Sequence, residues 1–211
     1  MRPIRLVLLA LGMAALVPGI ARAQRVRLEV TAVNQTGVWR PQVTTPGILR
    51  DNRWREALQN AFPLRLLYRV EVWRVRTDWF DALERSFEWE FVIQFEPLID
   101  EYTKTWIHGG QPRQITRFSG LADLERNLES RLAVNVSPGG AGEYYFTVAL
   151  QIRTLTDEEM EELERFLQGQ PAPTEREGRG LLGRAARRLL LQIGGLPSAN
   201  LEARSERFVV R

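Results

Sequence analysis

The chain reads as mainly β (α+β): an antiparallel β-sandwich, or as second choice a single curved sheet, with peripheral helices packed on it. Three observations predict this. Three long stretches alternate apolar and polar residues with period two, which marks strands with one dry and one wet face. The strands follow one another mostly without a regular helix between each pair, which favours antiparallel pairing. The helical segments are few and stand between strand runs, not after every strand.

The first element is a targeting segment. Arg2 and Arg5 make a short positive start, residues 6–17 are apolar without a charge, and Pro18 and Gly19 break the run before Ala21-Arg22-Ala23. This pattern predicts a secretory signal peptide over 1–23, cut after Ala23. The apolar run is shorter than the roughly 20 residues of a spanning helix. A lipobox anchor is excluded because the chain has no cysteine. The expected destination is the bacterial periplasm or cell envelope.

Removal of the leader changes the charge. It carries Arg2, Arg5 and Arg22 and no acid, so 26 of the 29 Lys and Arg residues remain against 26 Asp and Glu. The expected mature chain is neutral, and the basic precursor is no argument for nucleic acid. Lys104 is the only lysine, and the arginine bias reads mainly as codon composition. Residues 24–211 suit one β-rich domain with its own core.

Along that domain the strong strands come first in the argument. Leu64, Leu66, Tyr68, Val70 and Val72 alternate with Arg65, Arg69 and Glu71. In 86–97, Phe87, Trp89, Phe91, Ile93 and Phe95 alternate with Ser86, Glu88, Glu90, Gln94 and Glu96. Tyr144, Phe146, Val148, Leu150 and Ile152 alternate with Tyr145, Thr147, Gln151 and Arg153. Weaker strands are expected at 26–33, Glu101–His108 and 206–211, with a short edge strand near 38–43 restricted by Pro41.

Four helices are expected. Asp51 can cap one running to Ala61, with Trp54, Ala57, Leu58 and Ala61 on one side. Ser119 can cap another over 121–132, with Leu121, Leu124, Leu128 and Leu132 in register. Thr156 and Glu159 form a capping box for 156–168, with Leu155 and Met160 as its hydrophobic staple. A Gly- and Pro-bearing linker over 169–180 leads to a last helix, 181–193, which Gly194-Gly195 ends.

Candidate chemistry is sparse. Glu88 and Glu90 share one face about 6.5–7 Å apart, a separation that paired-carboxylate chemistry tolerates. The polar face of 64–76 offers Arg65, Arg69 and Glu71 beside them, so a lattice of ion pairs is the simpler account. His108, the only histidine, stands before Gly109-Gly110 in a turn, and no G-x-S-x-G elbow accompanies it. One histidine and no cysteine exclude the usual zinc and copper sites, and no D-x-D-x-D-G calcium pattern occurs. "PGGAGE" (138–143) lacks the Lys-Ser/Thr of a phosphate loop and reads as a turn. No catalytic residue, metal or cofactor is expected.

Two segments qualify as binding surfaces. The 181–193 helix gathers Leu182, Ala185, Ala186, Leu189 and Ile193 on one side. Arg184, Arg187 and Arg188 stand largely opposite, with Arg179 just before the helix. Such a basic amphipathic helix fits an anionic membrane surface, while packing against the acidic 156–168 helix on the protein body is the preferred alternative. The other is "RTDWFDA" (76–82), a turn holding Trp79, Phe80 and Asp81. Exposed aromatics there would make a contact patch; more commonly they fold back over a sheet end.

"REALQNAFPLRLLYRVEVWRVRTDWFD" (55–81) and "FEWEFVIQFEPLIDEYTKTW" (87–106) resemble an uncharacterised bacterial exported family, domain of unknown function 4390. The shared features are a helix, a small-residue-Pro-Leu step, a long strand, an Arg-x-x-Trp-Phe-Asp turn and the family's Leu-Thr-x-x-Tyr turn, which here reads Leu98-Ile99-Asp100-Glu101-Tyr102. "FSGLADLERNLESRL" (118–132) resembles the family's Phe-x-x-Leu-x-x-Ala-Leu helix, with Leu124-Glu125 in place of Ala-Leu. The resemblance implies export and fold but no chemistry. It marks Arg76, Trp79, Phe80, Asp81 and Tyr102 as family-like positions. The expected function is a non-catalytic envelope module that binds a protein partner or the membrane surface. The alternative is an envelope hydrolase using Glu88 and Glu90 or His108.

Overall fold

A computed structural model describes residues 26–154 and 197–211. Among these residues the chain forms ten strands and two helices. The strands are β1 (Glu29–Gln35), β2 (Val38–Thr44), β3 (Leu64–Arg74), β4 (Ala82–Glu96), β5 (Glu101–His108), β6 (Gln111–Phe118), β7 (Leu132–Ala133), β8 (Gly142–Arg153), β9 (Ala199–Arg204) and β10 (Phe208–Val210). The helices are α1 (Asn52–Gln59) and α2 (Leu121–Glu129). The expected helices at 156–168 and 181–193, and the linker between them, lie outside the described residues, as does the leader.

Every pairing is antiparallel. β1, β2 and β7 form a three-stranded sheet, and the others form a seven-stranded sheet in the order β10-β8-β3-β4-β5-β6, with β9 also on β8. Neither sheet closes into a barrel. Val30 and Val43 of the small sheet join Leu66, Val70, Trp89, Phe146 and Leu150 of the large one in a single buried cluster, with Trp54 and Leu58 of α1. This is the expected mainly-β architecture with peripheral helices. The period-two alternation accounts for it: Leu64, Leu66, Tyr68, Val70 and Val72 are all buried, and the intervening residues of β3 are partly or fully exposed.

Local chemistry sets the turns. Thr36 and Gly37 (φ 51° and 86°) join β1 to β2, and Gly109 and Gly110 (φ 61° and 72°) join β5 to β6. Two central residues with positive φ give the tight turn whose twist matches antiparallel strands. Asp51 caps α1 as expected, its carboxylate accepting the Arg53 N–H at 3.0 Å. At the other end Phe62 N–H donates to Ala57 O and Ala61 N–H to Leu58 O, each at 3.0 Å, which places Ala61 in the left-handed region (φ 63°). This is a Schellman motif with alanine where glycine is favoured.

Four sequence expectations need correction. Ser119 does not cap α2; Gly120 does, without a side-chain hydrogen bond. The helix stops at Glu129, so Leu132 belongs to β7 and not to its apolar stripe. β6 was not foreseen, because as an edge strand it exposes both faces and shows no apolar alternation. Its Pro112 sits beside a register shift, where no ladder N–H is required. β9 was not foreseen either; it and β10, which falls within the strand expected at 206–211, lie end to end along one edge of β8. Ser205 makes the break: its N–H donates to Phe146 O, and its hydroxyl accepts the Phe146 N–H, both at 2.9 Å.

Candidate functional site

The glutamates of β4 resolve first. The register sets Arg69 directly opposite Glu88, and the two form an ion pair. Arg65 reaches diagonally to Glu90 at 2.9 Å. Glu88 is 51% exposed, but Glu90 is only 17% exposed, drier than a simple wet face implies. Both carboxylates are occupied by guanidinium groups. His108 is equally committed. Its ring stacks on Phe87 with centroids 4.7 Å apart, and Nδ1 lies 2.8 Å from Glu88 O. A carbonyl only accepts, so Nδ1 carries the proton. Among the described residues no group of three or more His, Cys, Asp or Glu residues could hold a metal.

The loop between β3 and β4 is built differently. Asp81 pins its base with both oxygens: Oδ1 accepts the Arg76 N–H at 3.3 Å, and Oδ2 accepts the Tyr145 hydroxyl at 2.9 Å. Val75 N–H donates to Glu143 O at 2.8 Å, tying the loop to β8. Tyr145 is itself held between the Trp73 ring and the Arg204 guanidinium, whose Cζ is 3.5 Å from its centroid. Burial and the Asp81 hydrogen bond raise its pKa above the ordinary phenol value. Alongside, Glu84 accepts the Tyr144 hydroxyl at 3.1 Å and the Gly139 N–H at 3.2 Å, fixing the 138–141 turn.

From this braced base Trp79 and Phe80 project into solvent, 75% and 86% exposed. The expectation that they fold back over the sheet end is therefore wrong. Asp81 takes the inward place instead, because its two acceptors satisfy a backbone donor and a buried hydroxyl that an aromatic ring could not. The patch continues onto the outer sheet face. Leu83 pairs with Trp73, and Trp73 with Tyr145. Val209, opposite Glu143, lies on the same face one pair further along β8, and Leu83 and Val209 are both exposed. Arg207 faces Glu143 on the outer face and Arg74 faces Glu84 at the strand ends, so charges of both signs flank the loop.

Tyr102, the remaining family-like candidate, does not join this loop. Tyr102 is buried on the inner face, its ring tilted on Phe95 at 4.8 Å, and serves packing. Arg184, Arg187 and Arg188 lie outside the described residues.

A second constellation was missed. Lys104 is not on a solvated surface, as the codon-composition reading assumed. It stands on the inner face of β5 between Tyr102 and Trp106, half-buried. Its Nζ donates to Asn127 Oδ1 and lies 4.8 Å from the Phe91 ring centroid. Burial lowers its pKa. It lines a small cleft, open at its mouth and with a volume of about 40 Å³ for water centres, together with Thr45, Tyr68, Ser130 and Leu132. The signal was present in the strand parity, which puts the one lysine on the face of Tyr102 and Trp106.

The fold is that of a two-sheet antiparallel β protein with an exposed aromatic loop. Set against protein-family models, curated proteins and solved structures, the chain matches none of them.

Proposed function

We propose that the chain is an exported, non-catalytic module of the bacterial cell envelope that binds a protein partner through the β3–β4 loop. The observation that carries this reading is the pair Trp79 and Phe80, held out by a base that Asp81, Arg76 and Tyr145 make rigid. Aromatic anchors on a preorganised loop bind at low entropic cost and are the residue types that dominate protein interfaces. Flanking charges of both signs suit a protein surface, whereas an anionic bilayer calls for net positive charge. A hydrolase reading has less support, because Glu88, Glu90 and His108 are each engaged in structural contacts. In this reading residues 1–23 are a leader removed after Ala23, and the likeness to domain of unknown function 4390 reflects a shared exported fold.

The test uses a photo-crosslinking residue at position 80 in envelope-localised protein. The captured partner is then purified and its affinity measured for the parent and for a W79S/F80S double variant. The proposal expects the double variant to lose at least about 2 kcal/mol of binding, the size of an interface hot spot, with an unchanged melting temperature. Equal binding by parent and variant refutes it. Sedimentation with lipid vesicles that depends on Trp79 and Phe80 would replace the protein partner with a membrane surface. Amino-terminal sequencing checks export: a start at Gln24 supports it, and an intact Met1 on a membrane-bound chain contradicts it.

A further inference from the structure

We propose that the cleft between the inner face of β3–β5 and the carboxyl-terminal end of α2 is a binding subsite for a small carboxylic acid, its carboxylate on Lys104 and its short apolar tail against Phe91, Leu128 and Leu132. The site lies on the opposite face of the large sheet from the outer-face patch that continues the β3–β4 loop, and it is independent of the proposed partner contact.

Charge is the first argument. Lys104 is the single lysine of the chain, and among the described residues no carboxylate forms an ion pair with it. Its partners are neutral: the Asn127 side-chain oxygen and the π face of Phe91. The nearby acids of α2 are engaged elsewhere, Glu125 and Glu129 with Arg50 at 3.1 and 2.9 Å, and Asp123 with Arg126. A half-buried ammonium lined by rings and amides lacks the counter-charge that buried charges ordinarily have. An anion entering the cleft supplies it.

Hydrogen-bond capacity is the second. Thr45 Oγ1 and Tyr68 Oη, both buried, share one hydrogen bond of 3.0 Å. Two hydroxyls in one bond use one proton, so a second O–H is left to donate. Lys104 adds its remaining N–H groups, and Asn127, whose oxygen is taken by Lys104, keeps its amide N–H groups. Ser130 is not a donor here, since its hydroxyl is given to Asn127 O at 2.6 Å. The Lys104 ammonium, the Asn127 amide and the spare hydroxyl thus offer donors into the cleft, and the positive charge favours an acceptor-rich anion over a cation or an amine. The rest of the lining includes Val43, Phe91, Leu128 and Leu132, which are apolar. A carboxylate with a tail of a few carbons suits both the donors and the apolar lining, and the tail distinguishes it from a bare inorganic anion.

The single lysine makes a clean test. In protein carrying lysine labelled with carbon-13 at Cε, the only lysine signal comes from Lys104. It is followed during titration with butyrate, with n-butanol and with inorganic phosphate. The proposal expects butyrate to shift the signal saturably, with butanol giving no saturable shift and phosphate binding more weakly than butyrate. Lys104→Met should weaken butyrate binding at least about tenfold, the scale of one charge-assisted hydrogen bond, read from the Leu128 and Leu132 methyl signals. No saturation with butyrate, an equal response to butanol, tighter binding of phosphate, or undiminished binding by Lys104→Met overturns the proposal. If Lys104→Met does not fold, the butyrate and butanol titrations of the parent decide alone.

Discussion

Trp89 lies at the centre of the large sheet's inner face, and its truncation to alanine probes the packing most sharply. The side chain is 3% exposed. Its ring lies parallel to that of Tyr68, with centroids 4.9 Å apart and planes 2° from coplanar, and Phe87 tilts against it at 5.7 Å. A tryptophan of this burial removes about 200 Å² from water, and stacking on a second ring adds about 1 kcal/mol. Its indole N–H is buried without a hydrogen-bond partner, so truncation breaks none. The loss is then all burial and cavity, about 3–5 kcal/mol. Trp89→Phe should cost roughly 1–2 kcal/mol, because some area goes but an unsatisfied donor goes with it. Urea unfolding followed by far-ultraviolet circular dichroism measures both, with unchanged slopes licensing the comparison. A loss under about 1 kcal/mol for Trp89→Ala would mean that this face is not packed as described.

Other outcomes follow from single contacts. Ala61→Gly relieves a left-handed alanine at the end of α1 and should stabilise by about 0.5–1 kcal/mol in the same urea assay. Ser205→Ala strips the acceptor from the buried Phe146 N–H and should cost about 1–3 kcal/mol. Glu88→Gln should stay within about 0.5 kcal/mol, while Glu90→Gln, on a drier ion pair, should cost about 1 kcal/mol. Burial pushes the Tyr68 hydroxyl up to about 12, offset in part by its hydrogen bond to Thr45. The fold accepts the neutral phenol, so its contribution is complete below pH about 10 and declines as pH rises towards about 12. Melting temperatures of the parent should therefore fall more steeply across that window than those of Tyr68→Phe; parallel curves would refute the burial argument.

The long strands were legible because each must keep one face dry: Leu64 to Val72 and Tyr144 to Ile152 could only alternate as they do. Asp51 was legible because capping is a local hydrogen bond within two residues. Where the signal failed, the cause was long-range. β6 has no dry face to betray it, and the Gly109-Gly110 turn alone does not say that a strand follows. The inward turn of Asp81 depends on Tyr145, 64 residues away in sequence, so the outward direction of Trp79 and Phe80 could not be inferred locally. Lys104 is the opposite case. Its face follows from strand parity, and only the habit of treating lysine as a surface residue hid it.

In the proposed function the β3–β4 loop is the surface that meets the partner. The most direct measurement is calorimetric binding of the crosslinked and purified envelope partner to the parent and to W79S/F80S, both checked for equal melting temperature. The account predicts a saturable one-site isotherm for the parent and binding weaker by at least about thirtyfold for the variant. Indistinguishable isotherms would contradict it.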